Sequence, residues 1–270
     1  MTGWTEGAVK ANGININYQR TGGNKPAMLL LHGITDNGLC WTRVALEFQG
    51  RYDIVMLDAR GHGKSDRLTG EFSVPQLAAD AADVIRGLRL ARPIVFGHSM
   101  GAITAAALAA DYPDLVGAVI LEDPPLRDAA APPPAEFIQA LRAEFGKFKT
   151  MSPQQRSAGG AAQNPNWHRL ETDAWAESKA EVDDAVFEQV GSFDHYSWRD
   201  AFKRMRCPGL LLIGDLAKMA IVSPEVAAEA VGLWQAGEVV SIAGAGHCIH
   251  RDQYEATLAA IRAFLDKQGL

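Results

Sequence analysis

The sequence predicts an α/β protein in which helices cover a sheet of parallel strands. Short, nearly continuous apolar runs recur along the chain, which is typical of strands that are buried on both faces of a sheet. Segments with helical periodicity separate these runs, so strand and helix alternate. One long stretch, residues 124–206, interrupts the alternation and predicts a helical lid inserted into the α/β core.

The first predicted element is a β-hairpin near the N-terminus. Asn12 and Gly13 form a pair that favours positive φ angles, and residues 14–18 alternate between apolar and polar behind it. The apolar runs that follow predict strands at residues 27–31, 54–57, 93–96, 117–121 and 209–213, with a weaker candidate at 238–242. Helical periodicity predicts core helices at residues 74–88, 102–110, 224–231 and 254–265.

The interrupting stretch contains no strand-like apolar run, but it has a proline-rich entry and helical patterns at residues 135–148 and 180–190. Large aromatic side chains need a surface to pack against, which favours a folded lid over a loose insertion. These aromatics are Trp167, Trp175, Phe193, Tyr196 and Trp198. We therefore expect one α/β core, residues 1–123 and 207–270, with a cap at 124–206.

Composition narrows the classes of partner. Among 270 residues, 26 Lys and Arg stand against 32 Asp and Glu, so the formal net charge is −6, which argues against nucleic acid or an anionic membrane as a partner. No signal-peptide pattern is visible, so we expect a cytoplasmic protein. The sequence favours no particular oligomeric state.

Cys40, Cys207 and Cys248 lack metal-ligand spacing and predict reduced thiols. With no glycine-rich phosphate loop either, neither a metal nor an organic cofactor is expected.

The sharpest motif is Gly-His-Ser-Met-Gly at residues 97–101, between a predicted strand and a predicted helix. A serine at such a tight turn has a strained backbone, and glycines two positions away on either side make room for neighbouring chain. The start of the helix also presents unpaired N–H groups to any developing negative charge. This context predicts that Ser99 is a nucleophile rather than an ordinary helix-capping serine.

A serine hydroxyl is a poor nucleophile until a base removes its proton. His247 lies in a glycine-rich loop between the last predicted strand and the last predicted helix, where it could reach Ser99. His250 is its nearest rival, although a structural role suits it better. The remaining candidates are His62 in a turn, His98 beside Ser99 but directed away from it, and His168 and His195 in the lid.

Acyl transfer also requires donors for an oxyanion. The segment Leu-His-Gly-Ile at residues 31–34 ends a predicted buried strand, and its backbone amides can converge with the one that follows Ser99. We predict the main-chain N–H groups of Ile34 and Met100 as the two donors. We then expect the side chain of His32 to anchor this loop.

The chain carries four motifs in a fixed order: His32-Gly33, the run Asp-Ala-Arg-Gly-His-Gly-Lys-Ser at residues 58–65, the Ser99 motif and Gly246-His247. Together they resemble the α/β-hydrolase superfamily. The likeness is in particular to its small esterases, lactonases and carbon–carbon hydrolases with a helical cap. The resemblance spans nearly the whole chain outside the lid. It implies a mostly parallel eight-stranded sheet flanked by helices and hydrolysis through an acyl-enzyme. Haloalkane dehalogenases and epoxide hydrolases resemble the chain less, because their nucleophile is an aspartate.

The acidic member of the triad departs from the pattern of these relatives. The resemblance implies an acid three residues after Gly214, but Ala217 stands there and cannot orient a histidine. Asp123, at the end of the strand after the nucleophile helix, is the favoured replacement, because some members of the superfamily carry their acid there. Asp215 is the alternative, and Glu122 is third. The structural alternative is that Asp123 only forms a turn before Pro124.

The sequence therefore predicts a serine hydrolase of a carboxylic ester or lactone with an apolar part. Ser99 is the nucleophile, His247 the general base and Asp123 its orienting acid. The alternative is carbon–carbon bond hydrolysis of a diketone; a perhydrolase and a receptor-like α/β-hydrolase are further alternatives. The predicted substrate-binding residues are Gly33, His98, Trp167, Trp175 and Trp198.

Overall fold

The computed structural model describes residues 3–128, 135–189, 193 and 195–270. Its strands form one eight-stranded sheet in the order β1-β2-β4-β3-β5-β6-β7-β8. The strands are β1 Thr5–Ala11, β2 Ile14–Arg20, β3 Ala27–Leu31, β4 Asp53–Leu57, β5 Ile94–His98, β6 Ala118–Glu122, β7 Gly209–Ile213 and β8 Gly237–Ser241. The predicted mostly parallel eight-stranded sheet is confirmed.

The hairpin at the start of the sheet is also confirmed. Asn12 and Gly13 have φ angles of 47° and 87°, the positive values that a tight hairpin turn requires. Strand β2 pairs antiparallel with both β1 and β4, whereas every pairing from β3 to β8 in the described chain is parallel. The hairpin therefore adds an antiparallel edge to a parallel sheet.

The apolar runs reflect strands that are buried on both faces. In β3, Leu29 and Leu31 belong to one hydrophobic core, while Met28 and Leu30 belong to the other. The same alternation continues through β4, β5, β6 and β7. Because side chains alternate between the two faces of a strand, burial on both faces produces an unbroken apolar sequence.

Helices cover both faces of the sheet. The core with Leu29 and Leu31 includes residues of α2 Val74–Gly87, α3 Met100–Asp111, α8 Trp198–Arg204 and α9 Pro224–Leu233. The opposite core includes residues of α1 Thr42–Phe48, α10 Ile249–Asp252 and α11 Tyr254–Gln268. None of the helices in the described part of the chain is long and apolar enough to cross a membrane.

Between β6 and β7 the chain forms α4 Ala135–Thr150, α5 Pro153–Gln163, α6 Arg169–Glu181, α7 Asp184–Glu188 and then α8. The prediction of one helix over residues 180–190 is wrong. Helix α6 ends at Glu181, and the side chain of Asp183 accepts the N–H of Ala185 to cap α7. An N-capping aspartate stabilises a new helix start, so it separates the two helices.

The predicted cap boundary at residue 206 stays a prediction, and the packing of α8 favours an earlier boundary. Trp198, Ala201 and Phe202 of α8 lie in the sheet core, and this helix packs against α3 and α9. The segment between α6 and α7 instead contacts the loops at the end of the sheet: Asp183 N–H donates to Gly61 O, and Asp183 Oδ2 accepts the N–H of Leu68. We therefore propose that the cap comprises α4 to α7 and that α8 belongs to the core.

Helix α3 lies so close to the ends of two strands that only glycine fits at two positions. A Cβ on Gly97 would lie 2.1 Å from the carbonyl oxygen of Gly101. A Cβ on Gly101 would lie 2.0 Å from the carbonyl oxygen of Leu31 in β3. Both distances are shorter than real Cβ atoms tolerate, so the two glycines set the approach of α3 to β3 and β5.

We predict that Gly101→Ala destabilises the protein by at least about 2 kcal/mol, because the added methyl group must displace backbone. Urea denaturation monitored by far-UV circular dichroism would measure the change. Gly146→Ala is the matched control, since a Cβ there meets nothing within 4 Å on helix α4. It should be neutral or stabilising by up to about 1 kcal/mol. Equal stabilities for the two variants would contradict the steric interpretation.

Candidate active site

Ser99 occupies the turn between β5 and α3. Its φ and ψ angles are 52° and −114°, a strained combination for a residue with a side chain. The Ser99 N–H donates to Glu122 O at 2.9 Å, and Ser99 O accepts the N–H groups of Ala102 and Ile103. The turn is therefore held on both sides, at the carboxyl edge of a parallel sheet, where ligand sites of such folds lie.

The imidazole of His247 contacts the carboxylate of Asp123, with 2.6 Å between His247 Nδ1 and Asp123 Oδ2. Asp123 is fully buried, and its carboxylate also accepts the N–H groups of Ile221 and Val222 at 2.9 and 3.0 Å. A carboxylate accepts, so Nδ1 carries the proton and Nε2 remains free to act as a base. Asp123 has a φ of 43°, which aspartate tolerates better than most residues.

Asp215, the alternative acid, has a different partner. Its Oδ2 accepts the N–H of Gly244 at 2.6 Å, which fastens the start of the loop that carries His247. Ala217 lies in the short 3-10 helix Leu216–Lys218 after β7. The structure thus brings Asp123, and not Asp215, to the ring of His247.

The two predicted oxyanion donors lie beside the serine turn. Met100 is the first residue of α3, and Ile34 follows β3. Among the residues that the structure describes, the N–H groups of Ile34 and Met100 donate to no protein acceptor. A Cβ built on Gly33 would lie 3.5 Å from Ser99 Cβ, so the Ile34 loop passes directly alongside Ser99. These amides are available to an external oxyanion.

Two buried histidines anchor the loop that carries Ile34. For His32, this is the role that the sequence predicts. The Nδ1 atoms of His32 and His62 lie 2.8 and 2.9 Å from the carbonyl oxygens of Gly33 and Arg60, and therefore carry the protons. Their Nε2 atoms accept backbone N–H groups, from Ala59 to His32 and from Thr35 to His62. Burial lowers the pKa of His62 to about 3 and also lowers that of His32. Both rings are neutral at pH 7.

The run at residues 58–65 builds the support beneath that loop. The Asp58 carboxylate accepts the N–H groups of Gly38 and Lys64 at 2.7 and 2.9 Å. Arg60 forms two 2.6 Å hydrogen bonds with buried Asp80 on α2. These contacts give the run a structural role, which agrees with the structural interpretation of His62.

A second carboxylate–histidine pair, which the sequence reasoning missed, lies next to the first. Glu122 accepts both the backbone N–H and the Nδ1–H of His250, at 3.0 and 2.7 Å. Burial alone would raise the pKa of Glu122, but the charge and hydrogen bonds of His250 lower it to about 2. The pair anchors α10, which begins two residues after His247, and gives His250 a structural role.

His98 lies between the two pairs. Its ring is 4.8 Å from that of His247 and 5.8 Å from that of His250, and its Nε2 donates to His247 O at 3.0 Å. Burial lowers the pKa of His98 to about 3, so the ring is neutral. His98 thus supports the loop that carries His247, and a contact between His98 and substrate stays a prediction.

The predicted lid aromatics occupy two places. The rings of Trp167 and Trp175 are 6.3 Å apart, and Trp167 Nε1 donates to Asp252 on α10. These tryptophans lie over the buried cations Arg251 and Lys179, respectively. Trp198 is instead packed against Phe202 in the sheet core. Contact of these tryptophans with substrate stays a prediction.

The depressed histidine pKa values predict a pH-dependent stability. The pKa of His62 is about 3 in the folded protein and near 6.5 in the unfolded chain. The stability that its neutral ring contributes is therefore fully present above pH 6.5 and is lost as the pH falls toward 3. We expect His62→Gln to flatten the pH dependence of unfolding free energy between pH 4 and 6 by up to about 1.4 kcal/mol per pH unit.

Urea titrations at several pH values would measure both slopes. Between pH 7 and 8 the slopes of wild type and variant should agree, which is the internal control. An unchanged slope between pH 4 and 6 would contradict the neutral, buried state of His62.

The chain is similar to known proteins over nearly its whole length. The chain is 29% identical over 259 residues to the 2-(acetamidomethylene)succinate hydrolase of Mesorhizobium japonicum, covering 92% of this chain and 90% of that protein. It is also 29% identical over 266 residues to the N-formylmaleamate deformylase of Pseudomonas putida, covering 96% of each. The crystal structure of E-2-(acetamidomethylene)succinate hydrolase matches 97% of this chain and 99% of that one, with a TM-score of 0.82 and 27% identity.

A sequence model of the alpha/beta hydrolase family matches residues 28–260. This span contains the Ile34 loop, the serine turn, Asp123 and His247, as well as strands β4 to β8 and nearly all of β3. The chain belongs to the alpha/beta hydrolase family.

Proposed function

We propose that this hydrolase uses Ser99 as a nucleophile and forms an acyl-enzyme. The observation that carries the proposal is the 2.6 Å contact between His247 and buried Asp123, at the same sheet edge as the strained Ser99 turn. A nucleophile, a base and an acid that orients the base are the three parts that acyl transfer by serine requires.

In the proposed reaction, Ser99 Oγ attacks the substrate carbonyl while His247 Nε2 takes its proton. The carbonyl oxygen becomes an oxyanion, and the N–H groups of Ile34 and Met100 donate to it. The protonated ring then gives its proton to the leaving group as the carbonyl bond re-forms. A water molecule, deprotonated by His247, attacks the acyl-enzyme, and the ring returns this proton to Ser99 Oγ as the acid is released. Asp123 stays ionised throughout and stabilises the imidazolium.

For the substrate, we propose a carboxylic ester or lactone with an apolar part, as the sequence predicts. The apolar and aromatic side chains of the proposed cap support this choice. A second candidate is an N-acyl bond, because two relatives matched over nearly their whole length carry acetamido and N-formyl groups in the names of their substrates. The same residues could perform both reactions, and also the cleavage of a diketone.

We predict that Ser99→Ala abolishes hydrolysis, because no other group replaces the attacking oxygen. Purified protein would be assayed with p-nitrophenyl acetate, a γ-lactone, an N-formyl amide and a β-diketone. The variant should lose at least about 10³-fold in kcat on every substrate that the wild type turns over. Its melting temperature, measured in parallel, controls for folding. Turnover that survives the substitution would rule out Ser99 as the nucleophile.

The choice of acid has its own test. We predict that Asp123→Asn lowers kcat by roughly 10³–10⁴, because the amide holds the wrong tautomer of His247. Asp215→Asn is the matched control: its amide oxygen can still accept the Gly244 N–H, so kcat should stay within a few-fold of wild type. The opposite ranking, measured at matched thermal stability, would make Asp215 the acid.

A further inference from the structure

Lys179 projects from α6 into the interior, and its side chain is only 1% exposed. Its Nζ donates to Asp36 Oδ1 at 2.6 Å and to Thr35 O at 3.1 Å, with Ser178 Oγ a third contact at 3.4 Å. Thr35 and Asp36 directly follow Ile34, the predicted oxyanion donor. A cap helix thus reaches the loop that carries that donor.

Thr35 is the strained residue of this loop. Its φ angle is 69°, a region that β-branched residues rarely adopt. Such strain persists only where surrounding contacts hold it. The Thr35 N–H donates to His62 Nε2 at 3.3 Å, and its carbonyl accepts from Lys179. In the described part of the chain, Lys179 therefore supplies one of the two hydrogen bonds that the N–H and carbonyl of Thr35 form.

The same contacts determine where the Ile34 N–H points. In a trans peptide, the Gly33 carbonyl and the Ile34 N–H belong to one plane and point in opposite directions. Gly33 O accepts from His32 Nδ1 at 2.8 Å and from the Asp36 N–H at 3.1 Å. The Asp36 side chain is in turn held by Lys179. A shift of Thr35 or Asp36 would therefore rotate the Ile34 N–H.

Charge balance does not require Lys179. Arg251 donates to Asp36 Oδ2 at 2.7 Å, and its side chain is also buried. Burial alone would raise the pKa of Asp36, but the charges of Arg251 and Lys179 hold it well below its ordinary range. Without Lys179, Asp36 would still form a one-to-one ion pair with Arg251. Among the residues that the structure describes, Lys179 is the one that donates to the Thr35 carbonyl.

We propose that Lys179 is a positioning residue of the oxyanion hole, which holds the strained Thr35 peptide and thereby aims the Ile34 N–H at the substrate oxygen. This inference rests on the proposed function of Ser99. It assigns to a cap helix a part in stabilising the transition state, and it requires no contact between Lys179 and substrate.

The test is a double-mutant cycle on Lys179→Met and Thr35→Gly. Each variant is assayed for kcat and KM on p-nitrophenyl acetate and for inhibition by phenylboronic acid, whose tetrahedral serine adduct presents an oxygen to the oxyanion hole. Lys179→Met should lower kcat at least tenfold with KM within threefold, and it should raise the inhibition constant of the boronate similarly. In the Thr35→Gly background, where φ of 69° carries little strain, the same substitution should cost less than threefold.

Glu181→Ala is the matched control. Glu181, also on α6, accepts from Asn37 Nδ2 at 2.7 Å, so its loss weakens the contact of α6 with the same loop but leaves the Thr35 carbonyl held. Its kcat should change less than twofold. If Lys179→Met does not fold, Lys179→Gln replaces it, since this side chain is one bond too short to reach both acceptors.

Two results would overturn the role of Lys179. One is a lysine variant with lowered melting temperature but kcat and boronate inhibition within twofold of wild type. The other is an equal loss in the wild-type and Thr35→Gly backgrounds. Ser99→Ala is assayed alongside: an active Ser99→Ala enzyme overturns the proposed function, whereas an inactive one with a fully active lysine variant overturns only this inference.

Discussion

The buried carboxylate of Asp123 is the contact on which the rest of the site depends. It accepts two backbone N–H groups from the segment before α9 and contacts the ring of His247. A buried carboxylate is costly unless hydrogen bonds compensate it, so both segments must close around the end of β6. Burial of Asp123 therefore favours the arrangement in which His247 lies at the edge of the sheet that carries Ser99.

Much of the fold could be predicted because its signals are local and strong. Strands such as β3 and β7 are buried on both faces and therefore have unbroken apolar sequences. The cap helices were harder to predict, because α5 is rich in Gln, Gly and Ala and has no pronounced apolar face. The boundary between α6 and α7 depends on one capping side chain, Asp183, which competes with a helical pattern on either side of it.

The residues of the site likewise divide into those with a local sequence signal and those without one. Ser99 and its two glycines form a local motif, and Ala217 at the position of the expected acid indicates that another carboxylate, such as Asp123, takes this role. The pair Glu122–His250 joins residues 128 positions apart, and Lys179 reaches Asp36 across 143. No local pattern encodes such pairings, because they depend on how the strands and the inserted helices are arranged. A lysine among the polar residues of α6 looks like any solvent-exposed cation in the sequence.

The buried contacts of Lys179 link the position of helix α6 to the loop that carries Ile34. If α6 moved outward, Lys179 would move with it and leave Asp36, and among the described residues Arg251 would be the cation that remains on that carboxylate. Because Arg251 still compensates Asp36, this movement would not leave the carboxylate unpaired, but it would remove the hydrogen bond to the Thr35 carbonyl. Under the proposed role of Lys179, an outward movement of α6 would release the strained Thr35 peptide, so hydrolysis would require this cap helix to be in place.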